Sequence, residues 1–442
     1  MNSNITLRLK SDWTYNTGIL LIIVGLFSKY LECENLSMYI LTLLFLCLIF
    51  MNNSFRRTLQ QNGVGLYFGG TILYVYTLFN VLFTNETRYL ESNLRYLFCI
   101  FCVLLIIFVL TLNSKGILSG ILQNSFVLIN VFGLINQIVL TLQLNIYGFM
   151  MKDSWLVINS YYADLCSGLF GLNGTHEMTY FFCFLVLYNY YYSKYIVKER
   201  KIKIILAFYN LLLIIWMSFL STQNDNLSFA FIFTLMLGTY FIMSSIWERK
   251  KFPIKIIKYS ILTICVLVII LSIPSVNAFI NEILLERLNL MFLGLNSSNA
   301  LGSNERLGIV SYALEREFGW SFGIGLGSNR WVANAGESVM GFTHFGLNSI
   351  SAFVVLGGLP FYILYVCFYS WIIWKMDKQK KDYLFLVIVV LQVVIASFYT
   401  IIFVSFVSSI WFCLSMSLFA LAKHEIISNK NKTMNNLRVR QI

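Results

Sequence analysis

The sequence predicts an all-α, polytopic membrane bundle of about twelve transmembrane helices, and three observations carry that expectation. Apolar residues make up 58% of the 442 positions and charged residues only 12%, with a mean hydropathy of +0.73. Apolar runs of about 20 residues recur along the chain, each long enough to cross ~30 Å of hydrocarbon. They are continuous rather than alternating, which selects helices over the short strands of a β-barrel. Most of the 32 lysines and arginines fall in one alternate set of the segments between runs. That is the positive-inside pattern of a membrane protein.

In chain order, the runs place spans at 17–31, 36–51, 63–83, 95–112, 117–142, 176–193, 203–220, 227–246, 259–277, 346–373, 383–400 and 403–421. The last two form one apolar block. Counting that block once makes eleven spans; counting it twice requires a tight turn near 400–405. Residues 1–276 thus carry spans one to nine, 277–345 a large extracytoplasmic loop, and 346–442 the last three spans and a basic tail. The basic clusters around Lys198, Lys250 and Lys378, with the tail, put both termini in the cytoplasm. The opening polar stretch shows no cleavable signal, so the first span is expected to direct insertion.

Composition also excludes classes of function. The net charge of +12 follows the topology and the attraction of anionic headgroups. No soluble basic module suited to nucleic acid is visible. The nine cysteines lie mostly within spans, where cysteine behaves as a small hydrophobe. No cofactor is expected. The lack of an HExxH, a Cys/His cluster or a DxD pair gives no support for a metal. Ion-coupled carriers place ionisable residues at mid-membrane. Here Arg95, Glu177 and Lys203 fall at span ends, which favours an enzyme at the outer leaflet over a carrier. His176, beside Glu177, stands at the entrance of the sixth span, and the tyrosine-rich run Tyr188–Tyr195 reads as an interface belt.

The 277–345 loop has its own chemistry. It contains no lysine, four arginines (Arg287, Arg306, Arg316, Arg330) and six glutamates, among them Glu305 and Glu337. Arginine offers a planar fork of donors that suits phosphate. Ser303 to Gly319 reads as a short amphipathic helix with Leu307, Leu314 and Phe318 on one face, Val310 at its margin and Arg306 near its edge. Beyond it, "FGIGLGSNRW" places Gly323, Gly325 and Gly327 at alternate positions between Trp320 and Trp331. No βαβ setting surrounds them, so a dinucleotide loop is rejected. Two readings stay open: a turn between helices, or a concave nest of N–H groups for an anion. His344 stands at the mouth of the tenth span. The two tryptophans suit sugar stacking and interface anchoring equally. With only three prolines in the chain, broken helices are not signalled by proline.

Together these features resemble the bacterial O-antigen polymerase and ligase superfamily: an arginine, an amphipathic stretch, a G-x-G loop, then a histidine at the next span. Here that pattern reads "NERLGIVSYALEREFGWSFGIGLGSNRW" and "GFTHFGLNSISAFVVLGGLPFY". Arg306, Gly323, Gly325, Gly327, His344 and the span glycines Gly357 and Gly358 match it. The resemblance implies an enzyme of the bacterial inner membrane that polymerises undecaprenyl-diphosphate-linked oligosaccharide units, for O-antigen or capsule, without metal or nucleotide. A ligase is the near alternative and a flippase the alternative of a different class. A chain-length regulator and a flippase of the same pathway are the implied partners. On this resemblance Arg306 with the Gly323–Gly327 backbone holds the diphosphate. His344 serves as base or diphosphate ligand, with Glu305 or Glu337 as alternative bases, and Trp320, Trp331 and Asn348 meet sugar. Two departures stand out. The Ser-Arg pair of many members is absent from "LSTQNDNLSF" (220–229), so Arg330 or Arg88 is expected to supply that charge. Phe345 follows His344 and Asn348 comes four residues after His344, where members often carry Asn directly after the histidine.

Overall fold

The computed structural model describes residues 2–113, 117–153, 156, 162–224, 228–248, 308–315, 317–328, 348–377 and 382–439. The ninth expected span and most of the 277–345 loop lie outside these residues. Among the described residues the ordered elements are helical. They are α1 (Asn2–Phe27), α2 (Glu34–Met51), α3 (Asn53–Gln61), α4 (Gly63–Thr84), α5 (Leu90–Asn113), α6 (Ile117–Asn124) and α7 (Phe126–Asn145). These are followed by α8 (Thr175–Tyr191), α9 (Arg200–Gln223), α10 (Ser228–Trp247), α11 (Gly308–Glu315), α12 (Ser349–Lys375), α13 (Tyr383–Tyr399) and α14 (Phe406–Val439). Among the described residues, seven helices are long and apolar enough to cross a membrane. Apolar stretches of α1, α10 and α13 are shorter. The protein is a helical membrane protein.

Three expected elements come out differently. The single span at 117–142 is two helices, α6 and α7, that meet at Ser125, whose backbone (φ −87°, ψ 1°) has left the helical region. The sixth span leaves the α-helix at Tyr191 and closes with a π turn over Tyr192–Ile196, in which the Val197 N–H donates to the Tyr192 carbonyl at 3.0 Å. The helix expected over 303–319 ends at Glu315, because Glu317 turns left-handed (φ +63°). Among its described side chains, Val310 and Ala313 are buried.

The chain forms two compact units that are not consecutive segments: residues 1–72, 94–239 and 366–442 in one, and 73–93 with 240–365 in the other. In the first unit α8 is the core. Every residue from His176 to Asn189 is buried. A helix that is apolar all round has no face to give to solvent, so it belongs at the centre of a bundle. Its rings meet those of α14, with Phe181 and Phe184 centred 5.0 Å and 5.2 Å from Trp411. Leu185 packs where Gly133 of α7 leaves no side chain. Tyr188 and Tyr191 lie within this core, which corrects the reading of the whole tyrosine run as an interface belt. The Tyr188 hydroxyl donates to the Leu122 carbonyl at the end of α6. From Ser405, just before α14, the small residues Ser405, Ser409, Cys413 and Ser417 recur every four residues and all are buried. Small residues at that spacing let membrane helices approach closely.

Buried ion pairs fasten two places among the described residues of this unit. The Lys29 ammonium lies 3.1 Å from Glu177 at the start of α8 and 3.6 Å from Glu34 at the start of α2. Glu177 is fully buried, and the Ser405 hydroxyl donates to it at 2.8 Å. Lys423 of α14 reaches Asp377 at 2.5 Å and Asp382, the N-cap of α13, at 3.5 Å. Buried charges persist in an apolar bundle only with such partners.

Candidate functional site

The glycine loop belongs to the second unit, and its shape follows from a break in α12. Gly358 has φ +81° and ψ 164° within that helix. A Cβ there would stand 2.0 Å from the Ser321 carbonyl oxygen, so only glycine fits. Pro360, two residues on, has no N–H to return to the Leu356 carbonyl, its partner one turn back. Backbone carbonyls at membrane depth must find donors elsewhere. The glycine loop supplies them: Ile324 N–H donates to the Val355 carbonyl at 2.8 Å and Gly325 N–H to Leu356 at 3.0 Å. The proline-marked break was missed in the sequence because prolines are so few; the pair Gly357–Gly358 followed by Pro360 was the signal.

The other side of the loop is held by α4 and the segment after it. Asn80 is fully buried and uses both ends of its carboxamide. Its oxygen accepts the Leu326 N–H at 2.9 Å, and its nitrogen donates to the Phe322 carbonyl. Asn93 donates to the Leu326 carbonyl. The Tyr76 hydroxyl reaches the Ser321 carbonyl at 2.9 Å and also the Gly357 carbonyl at the break. The Phe322 ring stacks on Phe83 with centroids 4.9 Å apart. The Tyr89 N–H donates to the Gly327 carbonyl at 2.7 Å. None of these residues entered the sequence expectation, though a lone Asn80 inside an apolar span was a visible anomaly.

The donors of this loop are therefore largely engaged. Gly323 N–H goes to the Phe318 carbonyl at 2.9 Å and Ser328 N–H to Gly325 at 3.1 Å, in addition to those of Ile324, Gly325 and Leu326. This differs from an open nest: the glycines let the loop lie against the break, and these amides serve the fold. Of the expected sugar contacts, Trp320 is 60% exposed at the loop's edge. Asn348 is buried, and its side-chain oxygen caps α12 by accepting the Ser351 N–H at 2.8 Å. Arg306, Glu305, Arg330, Trp331, Glu337 and His344 lie outside the described residues.

Arg88 is the cation that the described structure brings to this loop. It is exposed, and its guanidinium stands 4.9 Å from the centre of the Tyr89 ring. Tyr89 is the residue whose N–H holds Gly327. Trp320 and Ser321 leave one edge of the loop exposed, while the Glu86 side chain lies against Gly325 and the Glu86 backbone against Gly327. Among the described residues no group of three His, Cys, Asp or Glu is arranged to hold a metal ion. No family model matches the chain, and no curated protein matches it.

Proposed function

We propose that the protein is a glycan polymerase. It transfers a growing oligosaccharide from undecaprenyl diphosphate to the next lipid-linked repeat unit, at the outer face of the bacterial inner membrane. The reading rests on the ordered motif Arg306, Gly323–Gly327, His344 and on the resemblance it carries. The single structural observation that supports it is the anchoring of Phe318–Ser328 across the break in α12. A loop fixed this firmly is a platform rather than a turn, and functional groups on a platform keep their geometry.

The reaction forms a bond between an acceptor hydroxyl oxygen and the anomeric carbon of the donor, and breaks the bond from that carbon to the diphosphate. The departing lipid diphosphate gains negative charge, which cations must stabilise. Arg306, Arg330 and Arg88 are assigned that work; Arg88 supplies the charge that the "STQND" turn lacks. Arg330 follows Ser328 by two residues, so the chain keeps their Cα atoms within about 7 Å. The acceptor proton passes to a positioned base, assigned to His344 with Glu305 and Glu337 as alternatives.

In a deletion strain, surface glycan carrying one repeat unit is expected. Long glycan left on its carrier lipid would indicate a ligase, and units trapped on the inner leaflet a flippase. Arg306→Ala, His344→Ala and Arg88→Ala should each abolish or strongly shorten the glycan ladder on a gel. Normal ladders from all three would overturn the assignment.

A further inference from the structure

We propose that Asn80 is a positioning residue for this site, setting the Phe318–Ser328 loop, with its exposed Trp320 and Ser321, against the broken helix. The inference rests on the polymerase reading, but its structural half is tested separately.

Asn80 lies in α4, within an otherwise apolar stretch, and is completely buried. An unpaired carboxamide there would be costly, so its contacts specify a geometry. Its two ends bind different loop residues, Phe322 by the carbonyl and Leu326 by the N–H. A single rigid group that grips the chain four residues apart fixes both height and rotation. Gly323, Ile324 and Gly325, the residues between the two grips, are those that face the carbonyls of Phe318, Val355 and Leu356. Asn80 therefore determines whether Ile324 and Gly325 meet the break. Asn93 and Tyr76 grip the same loop at Leu326 and Ser321. Asn80 touches no reacting atom in this account; it acts through the loop.

Two variants separate the roles of its ends. Asn80→Asp keeps the acceptor for Leu326 and removes the donor to Phe322. Asn80→Leu removes both at nearly constant volume. The full-length protein in lipid nanodiscs is compared by hydrogen exchange and by turnover of a lipid-linked repeat unit. In Asn80→Leu the amides of 322–326 should exchange at least tenfold faster while those of α8 are unchanged. The kcat should fall at least tenfold with KM within about twofold. Asn80→Asp should fall between the wild type and Asn80→Leu in both measurements. Unchanged exchange at 322–326 would overturn the clamp. A freed loop with unchanged kcat would overturn the positioning role, as would faster exchange throughout α4 and α8, which marks general destabilisation. Arg306→Ala is run alongside: if it polymerises normally, the polymerase reading fails, while the exchange result still decides the clamp. If Asn80→Leu does not fold, Asn80→Asp alone decides, with Leu326 expected to stay protected and Phe322–Gly325 to be released.

Discussion

Two irregular, glycine-containing segments enter this helical protein, one in each compact unit, and they are held in different ways. Cys166–Gly174 lies in the first unit. Its amides are taken by side chains of α7: Gln143 accepts the Gly168 N–H at 2.9 Å, and Asn136 accepts that of Leu169 at 2.6 Å. Asn224 of α9 donates to the Cys166 carbonyl at 3.2 Å. Phe318–Ser328, in the second unit, is held by the side chains of Tyr76, Asn80 and Asn93 and also by backbone, its Ile324 and Gly325 amides pairing with the Val355 and Leu356 carbonyls at the break in α12. The first segment is a plug. Its Cys166, Ser167 and Phe170 are fully buried, and it leads into the buried Glu177. The second keeps an exposed edge at Trp320 and Ser321. Burial of irregular backbone does not by itself mark a site.

Breaking the plug side should have the largest effect on stability. Glu177→Ala leaves the Lys29 ammonium without its closest carboxylate, and removing one partner of a buried pair costs about 3–5 kcal/mol. Thermal unfolding in detergent should show a large fall in Tm. The double substitution Lys29→Met with Glu177→Met should recover part of it, since the uncompensated charge is then gone. A Tm for Glu177→Ala equal to the wild type would remove the ion pair as a fastening of α1, α2 and α8.

On the open side, Gly358→Ala is expected to come next. Its Cβ would overlap the Ser321 carbonyl, and the backbone there is left-handed. A strained position of this kind costs about 1–3 kcal/mol. The loop should separate from α12, read as faster exchange at Ile324 and Gly325, with loss of the glycan ladder and little change around Glu177. Equal loosening of Cys166–Gly174 would show that the two segments are not independent. The smallest stability effect belongs to Trp320→Ala, since an exposed side chain changes folding by about 0.5 kcal/mol or less. Its effect should appear in turnover, as a raised KM for the lipid-linked unit, and unchanged turnover would strip the rim of its indole.

The spans at 36–51 and 63–83 match α2 and α4 to within two residues at each end. The runs themselves are the signal there: twenty apolar residues must form a helix to satisfy their own backbone in lipid. The break at Ser125 carries a short polar run, Gln123–Asn124–Ser125, too brief to divide the surrounding apolar stretch by composition. The amphipathic pattern at 303–319 was readable, yet its end was not, because Glu317 adopts a conformation more usual for glycine. In the candidate site, the glycines and Trp320 were legible as a motif. Asn80, Asn93 and Tyr76 were not, since they lie more than 220 positions before the loop residues they hold.

By itself, the sequence determined that this is a helical membrane protein, where most of its spans run, and which short stretch is chemically unlike the rest. Those properties depend on local composition and on the cost of exposing backbone to lipid. Only the tertiary structure decided that α12 is broken, that the Ile324 and Gly325 amides pair with the carbonyls at the break, and that Asn80 and Tyr89 meet that loop. Those outcomes depend on pairing polar groups far apart in the chain, and the demand that each buried donor find an acceptor is met only once the helices are packed.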